Sequence, residues 1–236
     1  MSTVETFPDI DTLAQQAALS TVTILGRAID KYGQASWVLA GGSTPLAAYK
    51  VIARDHRSTL DWSKVTLLLG DERISESEGP DNNWHTVDSI LAPLAALRLR
   101  PHADSAEAAA ADYETALLSL PKNASNLPRL DLVWLGVGED GHTLSLFPKH
   151  DSLHPTTKLV IPVYNSPKPP SDRISLSLRS LQGAKHAIIL ASGKSKQAAV
   201  KDALDGKHSP IALAASIIET YGGTVTWLLD SAATTD

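Results

Sequence analysis

Four short apolar runs in this chain each end at or next to a glycine, and the loops that begin there constrain the fold more than any other feature. Residues 36–40 lead into Gly41-Gly42-Ser43-Thr44-Pro45, and 65–69 into Gly70-Asp71-Glu72-Arg73. Residues 130–135 lead into Gly136-Val137-Gly138-Glu139-Asp140-Gly141-His142, and 185–191 into Ser192-Gly193-Lys194-Ser195. Runs this short, largely apolar and without alternation, read as strands buried on both faces.

The intervening segments have helical signals. Asp9 or Asp11 caps a helix to about Lys31, with Leu13, Ala17, Val22, Leu25 and Ile29 as its apolar stripe and Tyr32-Gly33 as its stop. Pro45 opens a helix to Arg54. Further helices are expected over 84–91, over 105–120 with Glu107 near its first turn, from Ser195 to about Leu204, and from Pro210 through Ile218; a last strand covers 224–229. Strands alternating with helices make a mainly parallel, Rossmann-like, doubly wound α/β sheet covered on both faces. Two more strands, 159–163 and 174–178, flank the loop Pro167-Lys168-Pro169-Pro170 as a small extra β excursion around residues 157–178. No repeat or linker divides residues 1–236, so a single domain is expected.

Composition excludes several function classes. A net charge of −5 argues against nucleic acid as the main partner, because duplex binding rests on clustered Lys and Arg. With no cysteine there are no disulfides or thiolate metal sites, and a reducing compartment is the expectation. No signal-peptide pattern precedes the first helix, and no apolar run approaches the roughly 20 residues that span a bilayer. A cytoplasmic protein without a membrane partner is therefore expected.

In a parallel sheet the loops after the strands gather on one edge, so the four glycine loops should converge. Two of them carry glycine and hydroxyl residues straight into a helix N-terminus, where free N–H groups and the dipole favour an anion. Ser43, Thr44 and Lys194 accordingly form a candidate phosphate cradle. His142 lies beside Asp140 in a glycine turn, where a carboxylate would fix the imidazole tautomer and strengthen it as a base. Arg73, at a strand end, suits an anion or a developing oxyanion, with Asp71 and Glu72 as its orienting partners.

Other motifs fail. Gly136, Gly138 and Gly141 match a dinucleotide fingerprint, but Pro148 cuts short the helix that pattern needs, and no acid stands at a strand end about 20 residues on. Ile188 stands where a P-loop has its first glycine, and Pro45 where a nucleophile elbow has its last. His150 and His154 are four residues apart without an HExxH pattern or a third ligand, so no metal site is expected.

Taken together, AGGSTP at 40–45, GDER at 70–73, the asparagines at 82–83, GVGEDGHTLSLFP at 136–148, PKPPSDRISL at 167–176 and GK at 193–194 resemble the 6-phosphogluconolactonase family over nearly the whole chain. Asn82 departs from that pattern, since many members have Ser there. The resemblance implies a NagB-like fold and hydrolysis of 6-phospho-D-glucono-1,5-lactone to 6-phosphogluconate in the oxidative pentose phosphate pathway, without metal or cofactor. By the same resemblance the catalytic histidine is His142 with its acid Asp140. The substrate and phosphate contacts fall on Gly42, Ser43, Thr44, Arg73 and Lys194, with Arg173 as a further contact. The expected partner is a small phosphosugar lactone, for a monomer or small homo-oligomer.

The nearest rival is the sister family of glucosamine-6-phosphate deaminases. Its pattern has a glutamate just before the proline that closes the central motif, where this chain has Phe147, and favours Tyr where this chain has Arg73. A sugar-phosphate sensing domain of a transcription regulator would carry a helix-turn-helix, for which the N-terminal segment leaves no room. The expected mechanism is attack by water activated by His142, with the 6-phosphate held at helix N-termini. Arg73 or the N–H groups of the glycine turn would stabilise the oxyanion. A Ser43 acyl-enzyme is the alternative chemistry.

Overall fold

In a computed structural model, which describes residues 2–74, 79, 81–101 and 105–234, the chain builds two sheets. The larger has seven strands, all parallel: β1 (Thr3–Phe7), β2 (Ala35–Leu39), β3 (Val65–Leu69), β5 (Leu97–Leu99), β6 (Leu132–Gly136), β9 (His186–Ala191) and β10 (Thr224–Asp230). Their spatial order is β1-β10-β9-β6-β2-β3-β5. The smaller is antiparallel, β4 (Asp71–Arg73) beside β8 (Arg173–Leu176) beside β7 (Val160–Val163).

Among the described residues six α-helices accompany the strands: α1 (Ile10–Tyr32), α2 (Ser43–Asp55), α3 (Asn83–Leu91), α4 (Ala106–Leu118), α5 (Gln197–Leu204) and α6 (Pro210–Thr220). The local chemistry of their ends is the expected one. Asp9 accepts from the Thr12 N–H and Gly33 closes α1, while Ser105 and Ser209 cap α4 and α6 through their hydroxyls.

Side chains on the sheet alternate strictly between two cores. Trp37, Leu39, Leu132, Trp134, Ile188 and Leu190 pack with α1, α2 and α3 on one face. Val38, Val133, Leu135, Ala187 and Ile189 pack with α4, α5 and α6 on the other. A strand buried on both faces therefore has few polar positions, which is why the periodicity of two is invisible in its sequence.

Three elements differ from the expectation. Neither β1 nor β5 is signalled by an apolar run: β1 is a mostly exposed edge strand, and β5 has only three residues. Residues 71–73, expected as loop, form β4, because the strand they pair with lies a hundred residues on, at Ser175, Ile174 and Arg173. The β excursion is present as β7 and β8.

The strand order turns at one place. From β2 the chain proceeds outward through β3 and β5, and from β6 it proceeds the other way through β9 and β10. The carboxyl ends of neighbouring β2 and β6 thus diverge, leaving the crevice where doubly wound sheets place their ligands.

Two tyrosine hydroxyls finish strands at that edge. Tyr49 Oη donates to the Ala40 carbonyl and accepts from the Ala40 N–H, both at 2.9 Å. Tyr113 Oη does the same for Leu69, at 2.9 and 2.7 Å. Each satisfies backbone groups where the chain leaves the sheet to build the crevice.

Candidate active site

The crevice is lined by Gly41 and Gly42 beyond β2, by Arg73 and Arg173 of the small sheet, and by Gly136, Gly138 and His142 beyond β6. The glycine turn is closed by its own backbone. The Gly138 N–H donates to the His142 carbonyl at 2.8 Å, and the Gly141 N–H to the Gly138 carbonyl at 2.9 Å. This folds the chain back so tightly that a Cβ at Gly138 would overlap the His142 ring and press on Asp140 Oδ1. The Gly141 carbonyl accepts from the Ile211 N–H at 3.1 Å and ties the turn to α6.

His142 Nδ1 pairs with Asp140 Oδ1 at 2.5 Å, and the same oxygen takes the His142 backbone N–H at 3.3 Å. With Nδ1 held by a carboxylate, the ring presents Nε2, for which no protein partner exists among the described residues. The side chain is 17% exposed. Burial pushes the imidazole below its ordinary value, the bond to Asp140 pulls it back up, and the positive charge of Lys168 adds to the lowering. Asp140 is held below the usual carboxylate range by its bonds to His142, which outweigh its burial. The result is an imidazole that is neutral near pH 7 and oriented to accept a proton at Nε2. One wall of its site is Phe147, buried, 4.8 Å away between ring centroids.

Positive charge gathers opposite. Arg73 and Arg173 are direct cross-strand partners on β4 and β8. Like charges placed opposite one another destabilise a sheet unless something negative lies between or beside them. Asp71 supplies part of that, its Oδ2 lying 4.0 Å from Arg173 Nη1, but the same oxygen accepts from Ser145 Oγ at 2.6 Å. Glu72 belongs to the fold: it accepts from the N–H groups of Arg73, Asn83 and Trp84 at 2.8, 2.7 and 2.9 Å and so covers the start of α3. Asn83, whose Nδ2 donates to the Asp71 carbonyl at 2.9 Å, also lines the crevice.

The phosphate cradle expected from the sequence is partly regrouped. Gly42 lines the crevice with φ 99°, a conformation favouring glycine, and starts α2 without a side-chain cap. The first N–H groups of α2 are thereby left for an anion. Ser43 is exposed at that terminus, and buried Thr44 shares its hydroxyl with Ser192 Oγ at 3.0 Å, so neither lines the crevice. Lys194 is exposed and lies outside the lining; the lysine that enters is Lys196, two residues on. The physical reason is local. Residues 194–196 form a 3-10 turn, with three residues per turn, so the two lysines point to different sides. Lys168 also reaches the crevice, from the Pro-rich loop. Lys196 and Lys168 are the residues missed by sequence reasoning. The signal for the first was a second lysine in the same turn, and for the second a lone cation in a loop of prolines. Among the described residues no group of three or more His, Cys, Asp or Glu could hold a metal, and no helix is long and apolar enough to cross a membrane.

A doubly wound sheet with an acid–imidazole pair facing a cation-lined crevice at its switch point defines an α/β enzyme acting on a small anionic substrate. The chain belongs to the family of glucosamine-6-phosphate isomerases and 6-phosphogluconolactonases, whose model matches residues 8–227. It is 37% identical to the 6-phosphogluconolactonase of Streptomyces coelicolor, over 95% of this chain and 90% of that one. It is 33% identical to the 6-phosphogluconolactonase of Mycobacterium tuberculosis, over 97% and 96% of the two chains. Among solved structures, the 6-phosphogluconolactonase of Leishmania guyanensis superposes with a TM-score of 0.86 at 28% identity, covering 99% of this chain and 97% of that one.

Proposed function

We propose that this chain is a lactone hydrolase that opens 6-phospho-D-glucono-1,5-lactone to 6-phosphogluconate, the step of the oxidative pentose phosphate pathway for which its relatives are named. The observation that carries the residue-level reading is the Asp140–His142 pair, aimed with a free Nε2 into the crevice that Arg73, Arg173 and Lys196 line.

A lactone is an activated ester, so catalysis needs a delivered water and a place for negative charge. The 6-phosphate is held at the α2 N-terminus beside Gly42 and by Lys196, while Arg173 lines the crevice from the small sheet and adds its positive charge. Ser43 and Thr44 contribute their backbone N–H groups to that terminus. Lys196, half-buried with its ammonium pushed down first by burial, gains from an anion what it lost in water. His142 Nε2 takes a proton from water as the oxygen bonds to C1. The negative charge moves to the carbonyl oxygen, where Arg73 stabilises it. Collapse of that tetrahedral species breaks the bond from C1 to the ring oxygen, which receives the proton back from Nε2. General base catalysis of this kind supplies roughly 10²–10⁴ in rate, and a preorganised donor for the oxyanion about 10²–10³ more. Phe147, where the deaminase pattern has glutamate, leaves Asp140 as the only carboxylate bonded to His142 among the described residues, which supports hydrolysis over ring-opening deamination.

The test is a coupled assay on freshly generated phosphogluconolactone, with glucosamine 6-phosphate as the control substrate. Turnover of the lactone above its spontaneous hydrolysis is expected, with no ammonia from the amino sugar; the reverse pattern overturns the reading.

A further inference from the structure

We propose that Lys168 is a substrate-contact residue, a second ammonium that grips the same phosphate dianion as Lys196, presented by a loop whose shape is set by the buried guanidinium of Arg173. The proposal rests on the phosphosugar reading above.

The loop carrying Lys168 has no regular secondary structure, yet its backbone is braced at several points. Arg173 Nη2 donates to the carbonyls of Lys168 and Pro169 at 2.8 and 3.3 Å, and Arg173 Nε to that of Pro170 at 3.1 Å. The Ser166 N–H donates to the Ser171 carbonyl at 3.0 Å and closes the loop. Ser166 Oγ donates to the Lys168 carbonyl at 2.9 Å and accepts from the Lys168 N–H at 3.3 Å. Arg173 is 4% exposed, so most of its donor capacity is spent on holding this loop. A long side chain on a fixed backbone at the rim of a crevice loses less freedom on binding than one on a mobile loop.

The ammonium groups are the second observation. Like several other lysines, Lys168 and Lys196 have no carboxylate within 4.0 Å among the described residues, in contrast to Lys64, Lys158, Lys201 and Lys207; what sets these two apart is their place. Both line the crevice. Lys196 is lowered first by burial, and the charge of Lys168 adds to that lowering against the pull of Glu139 and Asp140; the same charge lowers His142 as well. Two unpaired cations at one rim, close enough to repel, are relieved by a group that carries two charges and presents several oxygens to both. The phosphate is the part of the substrate that does so; a carbonyl oxyanion has one charge, and Arg73 stands ready for it. The contrasting reading is a solvated lysine at a loop tip, which the phosphate would not feel.

Lys168→Met and Lys168→Arg in the full chain separate the two. Binding of 6-phosphogluconate and of inorganic phosphate would be measured by calorimetry, with gluconate as the phosphate-free comparison, beside KM and kcat for the lactone. Loss of one charge-assisted contact predicts that Lys168→Met weakens both phosphate ligands and raises KM roughly 10- to 100-fold. It should leave kcat within about threefold and Lys168→Arg close to wild type. Unchanged phosphate affinity and KM would overturn the proposal. A fall in kcat with phosphate affinity intact would also overturn it, by moving Lys168 to the reacting end. Absence of lactonase activity in the wild type would sink the functional reading instead, while the inorganic phosphate titration would still decide whether Lys168 contacts phosphate.

Discussion

The phenyl ring of Phe147 stands 4.8 Å from the imidazole of His142, centroid to centroid, and is itself buried. Burial is the largest cause lowering the His142 pKa, so kcat/KM should fall with acid through a limb below about 6.5, the ordinary imidazole value. The sign is fixed by the role: only the neutral ring accepts a proton, so activity is present above that pKa and lost beneath it. Phe147→Leu keeps the site apolar but admits water, and should move the limb upward. A limb that stays put in a pH–rate profile would assign the lowering to something other than this wall.

Asp140 acts on His142 in two ways that Asp140→Asn separates. The carboxylate raises the imidazole pKa, so its loss should shift the acid limb further down. It also holds Nδ1, so its loss should lower kcat by about 10²–10⁴, the usual worth of a positioned base. A limb moving upward instead would show that the pair is not the titrating unit.

Gly138→Ala tests placement of the imidazole and its bond to Asp140 while keeping both side chains. The added methyl would occupy the space of the His142 ring, and a side chain yields more readily than the backbone hydrogen bonds of the turn. A kcat loss of about 100-fold with KM changed by less than about threefold is expected, as for a group that acts only in the transition state. Equal activity of the variant would mean that the turn opens freely.

Lys196→Ala and Lys194→Ala, compared for KM, decide which lysine serves the anion. Lys196 lines the crevice and Lys194 is exposed outside it. Lys196→Ala should raise KM by roughly 10- to 100-fold, one charge-assisted contact, and Lys194→Ala by much less. The opposite order would restore Lys194 to the cradle.

Tyr113→Phe removes a buried hydroxyl that serves both the N–H and the carbonyl of Leu69. Leaving such groups unpaired costs about 1–3 kcal/mol, which a shift in the urea midpoint would report. An unshifted midpoint would mean that water takes the place of the hydroxyl.

Much of the frame is legible along the chain. Val65–Leu69 is the strand its apolar run predicts, and Asp9 and Gly33 bound α1 as their capping chemistry requires. Such signals are local: a cap, a glycine stop or a run of Val and Leu acts within one turn or one strand. β4 is hidden for the opposite reason. Asp71, Glu72 and Arg73 have no strand propensity worth reading, and they are extended because Arg173, Ile174 and Ser175 pair with them. Position 73 therefore faces position 173, a relation that no spacing in the sequence contains.

The central motif is readable as acid and imidazole in a glycine turn because Asp140 and His142 are two residues apart, and a turn that short leaves their side chains few places to go. That pairing, the α/β alternation and the site at one sheet edge are what the sequence by itself determined. Only the tertiary structure decided which cations meet the imidazole. It brought in Lys196 rather than Lys194 through the pitch of one 3-10 turn, and Lys168 through a loop braced by Arg173. Side-chain direction in irregular backbone depends on contacts distant in the chain, and those exist only once the two sheets have closed around the crevice.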